Sequence, residues 1–251
     1  MEEVLSALVA EQTELAGILT GLDTADWSRP SRCDGWDIAD VVLHLAQTNE
    51  LAIGSAQGQF DAVLARLAGG LPWAGSVDEA VAAMVERERG AAGSEVLARW
   101  SSSASELEAA VDAGDMSQRV RWVAGELSLR TLATTRLAET WIHSGDVASA
   151  MGITVPPTDR LKLIARLAWR TLPYAFSSAG RTWSGPVAFR LTSPGGTSWD
   201  FSPDEPAVTT ISGSAADLCA VASRRVLPAA TTLTGEGPDP GAVLDLVRTY
   251  A

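Results

Sequence analysis

The sequence predicts an α+β protein with two parts, an antiparallel helical bundle over residues 1–178 and a small α+β domain over residues 179–251. Apolar residues recur at helical spacing through most of the first part, which is typical of amphipathic helices. After Gly180 the pattern changes to short alternating segments separated by turn-forming clusters, which is typical of strands. Helices followed by a β-containing tail favour two domains over one continuous fold.

Breaker and capping residues divide the first part into helices. The first helix carries one apolar stripe and ends at Gly21, and a polar loop follows it. Asp37 is a candidate N-cap for the second helix, and Asp40 occupies the capping-box position. The chain around Trp122 is predicted to be irregular, and residues 69–75 to be a break. Further helices are predicted over residues 57–68, 76–89, 94–113, 127–151 and 160–176.

The sequence of the second part predicts several strands and two helices. The segments VAFRLTS, SWDF and AVTTISG are typical of strands, and turn clusters PGG and SPDEP separate them. SAADLCAVASRRVL is predicted to be a helix, TTLTG a short strand, and PDPGAVLDLVRTYA a terminal helix.

Composition and charge argue against two classes of partner. The formal net charge is −12 and the isoelectric point about 4.6, whereas nucleic-acid binding needs a basic surface. The same charge disfavours an anionic membrane surface. The start of the sequence lacks the features of a signal peptide, and no stretch approaches about 18 consecutive apolar residues. Two cysteines do not form a disulfide framework. We therefore expect a cytoplasmic monomer or homodimer that acts on small molecules.

The two histidines of the chain, His44 and His143, both fall within predicted helices of the bundle. Glu139 precedes His143 by four residues, so their side chains share one helix face. Two histidines and a carboxylate brought together between helices would suit Zn²⁺, and also Ni²⁺, Fe²⁺ or Mn²⁺. Spacing alone leaves two simpler interpretations open, a surface ion pair for Glu139 and His143 and a hydrogen-bonded core residue for His44.

Two segments resemble the signatures of the DinB-like, mycothiol-dependent maleylpyruvate isomerase family. WSRPSRCDGWDIADVVLHLAQ resembles the first signature, in which a polar loop and a Gly-Trp pair precede a helix with a His-Leu pair. RLAETWIHSGDVASAMG resembles the second, in which Arg, Glu, Trp-x-His and Gly-Asp follow in order. The tail segments TDRLKLIARLAWRTLPYAF and GSAADLCAVASRR are similar to a metal-binding subgroup of the family.

The resemblance implies a fold, a metal and a cofactor. It implies a DinB-like four-helix bundle followed by a domain related in shape to sterol carrier proteins. It also implies that His44, Glu139 and His143 bind a divalent metal, usually zinc, and that mycothiol, the low-molecular-weight thiol of actinobacteria, is the thiol co-substrate. A thiolate produced at the metal would attack a small electrophile. The enzyme would then be an S-transferase, in detoxification or natural-product assembly, or a cis–trans isomerase.

Several further residues are candidates for supporting roles. Asp146 could accept a hydrogen bond from a ligand histidine, and Gln47 could reach the open side of the metal. Arg136 could orient Glu139 or bind a substrate carboxylate, and it completes the candidate catalytic set. Trp36 and Trp122 are candidate cofactor-binding residues, although packing the loop or the bundle is the simpler role for each. Two cysteines have weaker signals: Cys33, with only Arg32 beside it, is expected to be structural or incidental, and Cys219 to lie in the core.

The substrate and the reaction class stay open at this point. Arg121 and Arg130 are basic but lie in no motif that would hold a dicarboxylate, so maleylpyruvate itself is not the expected substrate. A second hypothesis is a thiol-independent metalloenzyme, a hydrolase, lyase or cyclase of secondary metabolism, in which the metal polarises a carbonyl or activates water. A third is a non-enzymatic binder with a structural metal and an apolar ligand in the tail domain.

Overall fold

The fold is described from a computed structural model over residues 2–70 and 75–249. The predicted break at 69–75 falls largely on residues 71–74, which with Trp73 lie outside the described residues. In the first part the helices are α1 (Glu3–Leu19), α2 (Ile38–Ala56), α3 (Phe60–Ala68), α4 (Val77–Glu88), α5 (Gly93–Ala113) and α6 (Leu129–Ala150). None of the helices in the described ranges combines the length and apolarity needed to cross a membrane.

Four long helices, α1, α2, α5 and α6, form a bundle around one apolar core. Helix α2 packs on α5 and α6, and α1 packs on α6 and α5. The leucines that fill the core have no exposed surface, because the apolar positions of all four helices face one another. Among them are Leu8, Leu15, Leu45, Leu107 and Leu137. The predicted four-helix bundle is therefore confirmed.

Local signals at the helix ends fix α2 and α6, the two helices that carry the candidate site. Asp37 caps α2, its carboxylate accepting from the backbone N–H of Asp40 while Asp40 accepts from that of Asp37. Ser128 caps α6 by accepting from the backbone N–H of Thr131. Helix α6 stops where Gly152 takes φ 68°, a left-handed conformation that favours glycine.

The segment around Trp122 is a β-hairpin, where the sequence predicted irregular structure. Strands β1 (Arg119–Trp122) and β2 (Gly125–Ser128) pair antiparallel, with Trp122 opposite Gly125 at the turn. Each strand is only four residues long. In β1 charged and apolar residues alternate and the apolar Val120 and Trp122 are buried, but so short a run does not by itself predict a strand. Strand β2 has no such alternation and takes its structure from pairing with β1.

The second part contains helices on a four-stranded sheet, as the predicted strands require. Strand order is β4-β3-β5-β6, with β3 and β5 parallel and the outer pairs antiparallel. The sheet strands are β3 (Val187–Thr192), β4 (Ser198–Phe201), β5 (Thr209–Ser214) and β6 (Thr234–Glu236). The helices are α7 (Leu161–Arg170), α8 (Leu172–Ser178), α9 (Ala215–Ala222) and α10 (Pro240–Leu246).

The chain divides into two compact units between Val155 and Pro156, whereas the sequence placed the boundary after residue 178. Helix α7 packs on α9 and β4, and α8 packs on α10, so both helices belong to the second unit. The apolar stripe of α7 predicts burial against a partner but does not say whether that partner is a bundle or a sheet.

The cap of α2 is expected to contribute measurably to stability. Asp37→Ala removes an acceptor from the first turn and should lower the free energy of unfolding by about 1 kcal/mol. Urea unfolding followed by circular dichroism measures this change. Asp37→Asn keeps the acceptor and serves as the matched control, so an equal loss in both variants would show that the side-chain cap is not responsible.

Candidate metal centre

Two helices of the bundle bring His44, Glu139 and His143 together. Helix α2 supplies His44, and α6 supplies the other two residues one turn apart. Nε2 of His44 lies 3.3 Å from Oε2 of Glu139, and Nε2 of His143 lies 3.7 Å from the same oxygen. The two imidazole rings meet edge to face with their centroids 4.9 Å apart. The three donor atoms lie within 4.8 Å of one another, so one carboxylate oxygen has two histidine nitrogens around it.

Burial and neighbouring charge set the protonation of this cluster in opposite directions. Burial alone would raise the pKa of Glu139, but interactions with His143, His44 and Arg136 outweigh it and hold this pKa well below its usual range. Burial lowers the pKa of His44. It would also lower that of His143, but interactions with Asp146, Cys33 and Glu139 raise the pKa of His143 well above its usual range. Glu139 is therefore an anion at neutral pH.

The other ring nitrogen of His143 is held by an acid on the same helix. Nδ1 of His143 lies 3.0 Å from Oδ2 of Asp146, which is fully buried. This contact leaves Nε2 facing Glu139 and fixes the orientation of the ring, as carboxylates do for metal-bound histidines. Asp146 therefore lies where the sequence placed a supporting acceptor.

Cys33 lies beside this acid, although the sequence reasoning left it out of the site. Its Sγ is 3.3 Å from Oδ2 of Asp146 and 3.9 Å from Nδ1 of His143, so Cys33, His143 and Asp146 form a second group of adjacent donors. The contact joins residues more than a hundred positions apart, so no local spacing reveals it. Its position three residues before Trp36, within the first signature, is the one signal in the sequence.

The remaining aromatic and basic candidates enclose the cluster on two sides. Trp36 is half-buried and packs on His44, with ring centroids 5.4 Å apart. Arg136 is buried, and its Nη2 lies 3.9 Å from Oε2 of Glu139. Trp122 lies over the guanidinium of Arg136, with the Cζ atom 5.3 Å from the ring centroid. The structure thus brings all three residues to the surroundings of Glu139 and His44.

Three other candidate residues face elsewhere. The side-chain amide of Gln47 donates to the backbone oxygen of Met84 and to Glu88, both on α4, and the expected approach of Gln47 to the metal is not seen. Gln47 lies one turn after His44 on α2, but its side-chain amide is bound to α4 and not directed at the three donors. Arg121 is exposed and pairs with Asp61 at 3.2 Å. Arg130 is exposed and pairs with Glu2 at 2.8 Å.

A divalent cation fits the chemistry of the His44, Glu139 and His143 donors. Two imidazoles and a carboxylate are a common protein donor set for zinc in catalytic sites. Both histidine contacts to Glu139 are longer than the usual N–H···O distance, so the carboxylate is not well satisfied by hydrogen bonds alone. An ion among the three donors would give them a common partner.

Comparison with known families assigns the chain to one of them. A sequence model described as the mycothiol maleylpyruvate isomerase N-terminal domain matches residues 8–148. The chain belongs to this family. The matched range contains every candidate residue of the metal centre, and it ends within α6. The DinB-like resemblance noted from the two signatures is therefore confirmed.

Two curated relatives and two solved structures align with nearly the whole chain. Two uncharacterized proteins of Mycobacterium tuberculosis, MT0041 of strain CDC 1551 / Oshkosh and Rv0036c of strain ATCC 25618 / H37Rv, are each 29% identical over 97% of this chain and 93% of their own length. The crystal structure of the mycothiol-dependent maleylpyruvate isomerase is 21% identical with a TM-score of 0.59, and that of its histidine-to-alanine mutant has a TM-score of 0.61. Each alignment covers 95% of both chains. These likenesses establish the shared fold.

The two cysteines are expected to differ in reactivity. Cys33 is partly exposed, whereas Cys219 is fully buried and burial raises the pKa of its thiol. Titration of the native protein with a disulfide reagent should therefore modify Cys33 alone, and unfolding in guanidinium should expose the second thiol. Cys33→Ser should abolish the native reaction and Cys219→Ser should leave it intact. Rapid modification of both thiols in the native protein would contradict the placement of Cys219.

Proposed function

We propose that this protein is a divalent-metal-dependent mycothiol S-transferase or isomerase that joins the thiol sulfur to a small electrophile. The convergence of His44, Glu139 and His143 within the family's N-terminal domain carries the proposal. We further propose zinc as the metal, with nickel, iron and manganese as alternatives for the same donors, and the cytoplasm as the location. The protein would act as a monomer or homodimer.

The residues of the centre have separate roles in this proposal. His44, Glu139 and His143 would hold the ion, and Glu139 is available as an anion because of its low pKa. When bound, the ion lowers the pKa of a coordinated thiol, so that thiolate is present at neutral pH. Asp146 keeps the His143 ring in place through Nδ1. Trp36 covers His44 and excludes water from that side of the centre.

Two reaction outcomes are compatible with this arrangement, and they differ in the fate of the new C–S bond. In transfer, the thiolate sulfur attacks a carbon of the electrophile, the C–S bond forms, and a leaving group departs with its electron pair. In isomerisation, the sulfur adds to an activated double bond, the resulting single bond rotates, and the sulfur leaves with the double bond restored. The centre described above serves either outcome, because both begin with the same thiolate.

Loss of one ligand should remove both metal and activity. His143→Ala takes away a donor that Asp146 holds in place, so bound metal, measured by plasma mass spectrometry, should fall from about one ion per chain to near zero. Consumption of mycothiol with a bimane electrophile should fall with it. Gln47→Ala, on α2 but turned toward α4, should keep its metal. One bound ion per chain in His143→Ala would refute the ligand assignment. If the metal-loaded wild-type protein leaves thiols unreacted, the proposed reaction is refuted and a thiol-independent metalloenzyme is favoured.

The buried acid behind His143 should tune metal affinity without being a ligand. Asp146→Ala leaves Nδ1 without its carboxylate, and the affinity for zinc should fall by about 10- to 100-fold. Competition with a chelator of known affinity measures the change. Asp112→Asn removes an exposed carboxylate from α5 and should leave the affinity unchanged. An unaltered affinity in Asp146→Ala would show that the His143 ring is oriented by packing instead.

A further inference from the structure

Arg136 is a buried cation with unused hydrogen-bonding capacity. Its side chain is 4% exposed, on the face of α6 that also carries Glu139 and His143. Neither Nε nor Nη1 has a hydrogen-bond partner among residues 2–70 and 75–249. Burying a charge with unpaired donors is costly, and such groups are retained in proteins where something else compensates them. The packing of the bundle alone gives no reason to keep an arginine here.

Glu139 is the one acid within ion-pair distance of Arg136 in the described chain, and it also contacts two histidines. Nη2 of Arg136 lies 3.9 Å from Oε2 of Glu139, beyond hydrogen-bond distance. The same oxygen lies nearer to the nitrogens of His44 and His143. If Glu139 holds a divalent ion, as proposed above, its negative charge is offset by that ion. Arg136 is then left with no counter-charge of its own.

Packing, rather than an ion pair, holds the guanidinium in place. Trp122 covers one face of the group, and its ring in turn meets Phe60 of α3 edge to face, with centroids 6.0 Å apart. Trp122 is the last residue of β1, at the turn of the hairpin, so a loop side chain rather than a helix covers this face of the guanidinium.

We infer that Arg136 binds the carboxylate of a monoanionic electrophile and so determines the substrate class of the centre; this inference rests on the proposed function. A planar guanidinium matches a carboxylate through two parallel hydrogen bonds, which a lysine cannot provide. A carboxylate on Arg136 places the rest of a small substrate beside the donors on α6. Arg121 and Arg130 are exposed and already paired with acids, so neither supplies a second anchor for a dicarboxylate.

The test compares two electrophiles that differ mainly in charge, iodoacetate and iodoacetamide. Each alkylates the mycothiol sulfur, forming a C–S bond and releasing iodide, and mass spectrometry measures the product formed by the metal-loaded full chain above the uncatalysed rate. The ratio of kcat/KM for iodoacetate to that for iodoacetamide reports recognition of the carboxylate. Arg136→Gln should lower this ratio by about tenfold or more, while the protein keeps its bound metal.

Three further variants separate substrate binding from a structural role. Arg136→Lys should keep part of the preference through its charge, and Arg130→Gln, on the same helix but exposed, should keep all of it. Arg136→Met leaves no buried donor without a partner, so it should unfold at the same or a higher urea concentration and show the same loss of preference. If Arg136→Met unfolds at a lower urea concentration and its ratio of kcat/KM for iodoacetate to that for iodoacetamide is unchanged, Arg136 acts on Glu139 alone.

Failure of the inference and failure of the proposed function give different results. If the metal-loaded protein consumes mycothiol with both electrophiles but the ratio does not depend on Arg136, the carboxylate inference is overturned and the thiol chemistry stands. If neither electrophile reacts above the uncatalysed rate, the proposed function falls and the inference falls with it.

Discussion

The candidate site depends on a single carboxylate placed between two helices of the bundle. Glu139 on α6 faces His44 on α2, and His143 and Arg136 approach the same oxygen from its own helix. Each of these groups would be costly to bury alone, because the bundle interior offers little water. Together they offset one another's charge, and the low pKa of Glu139 expresses that balance. The balance is incomplete, since the contacts are long, and this leaves the cluster suited to a further cation.

Helix α6 carries several polar residues into the interior of the bundle. Arg136, Thr140, His143 and Asp146 are all buried, so polar groups interrupt the apolar surface that the rest of the bundle would favour. Asp146 is paired with His143 and Cys33, and the hydroxyl of Thr140 donates to the backbone oxygen of Arg136. Such partners reduce the cost of burial. The leucines of the four helices form the core, while α6, together with His44 of α2, supplies the candidate ligands.

Much of the fold follows from the sequence because helical periodicity and capping are local. Asp37, Ser128 and Gly152 mark helix ends by interactions with their near neighbours, and the same i, i+4 rule puts Glu139 and His143 on one face. The pairing of α2 with α6, which adds His44, is a tertiary contact, and only the family resemblance anticipated it. The orientation of Gln47 is also set by tertiary contacts, since its side-chain nitrogen donates to Met84 and Glu88 of α4.

The remaining differences also arise from contacts that no local pattern encodes. Cys33 reaches Asp146 only after the loop before α2 folds onto α6. The hairpin at Trp122 consists of four-residue strands, and the alternation in β1 is too short to predict a strand without its partner. The stripe of α7 is equally suited to a bundle or a sheet, which moved the expected domain boundary past Val155. In each case the residue type is informative, but the partner is chosen by the three-dimensional packing.

The surroundings of the centre decide substrate class more directly than the shared fold does. A likeness at 21% identity establishes the architecture, whereas recognition of a substrate depends on particular charged groups. In the described part of the first unit, Arg121 and Arg130 lie at the surface with acidic partners, and Arg136 is buried beside Glu139. One buried guanidinium can bind one carboxylate, so the inferred role of Arg136 favours a singly charged electrophile over a dicarboxylate. The family's chemistry and this chain's substrate are thus separate questions, and Arg136 bears on the second.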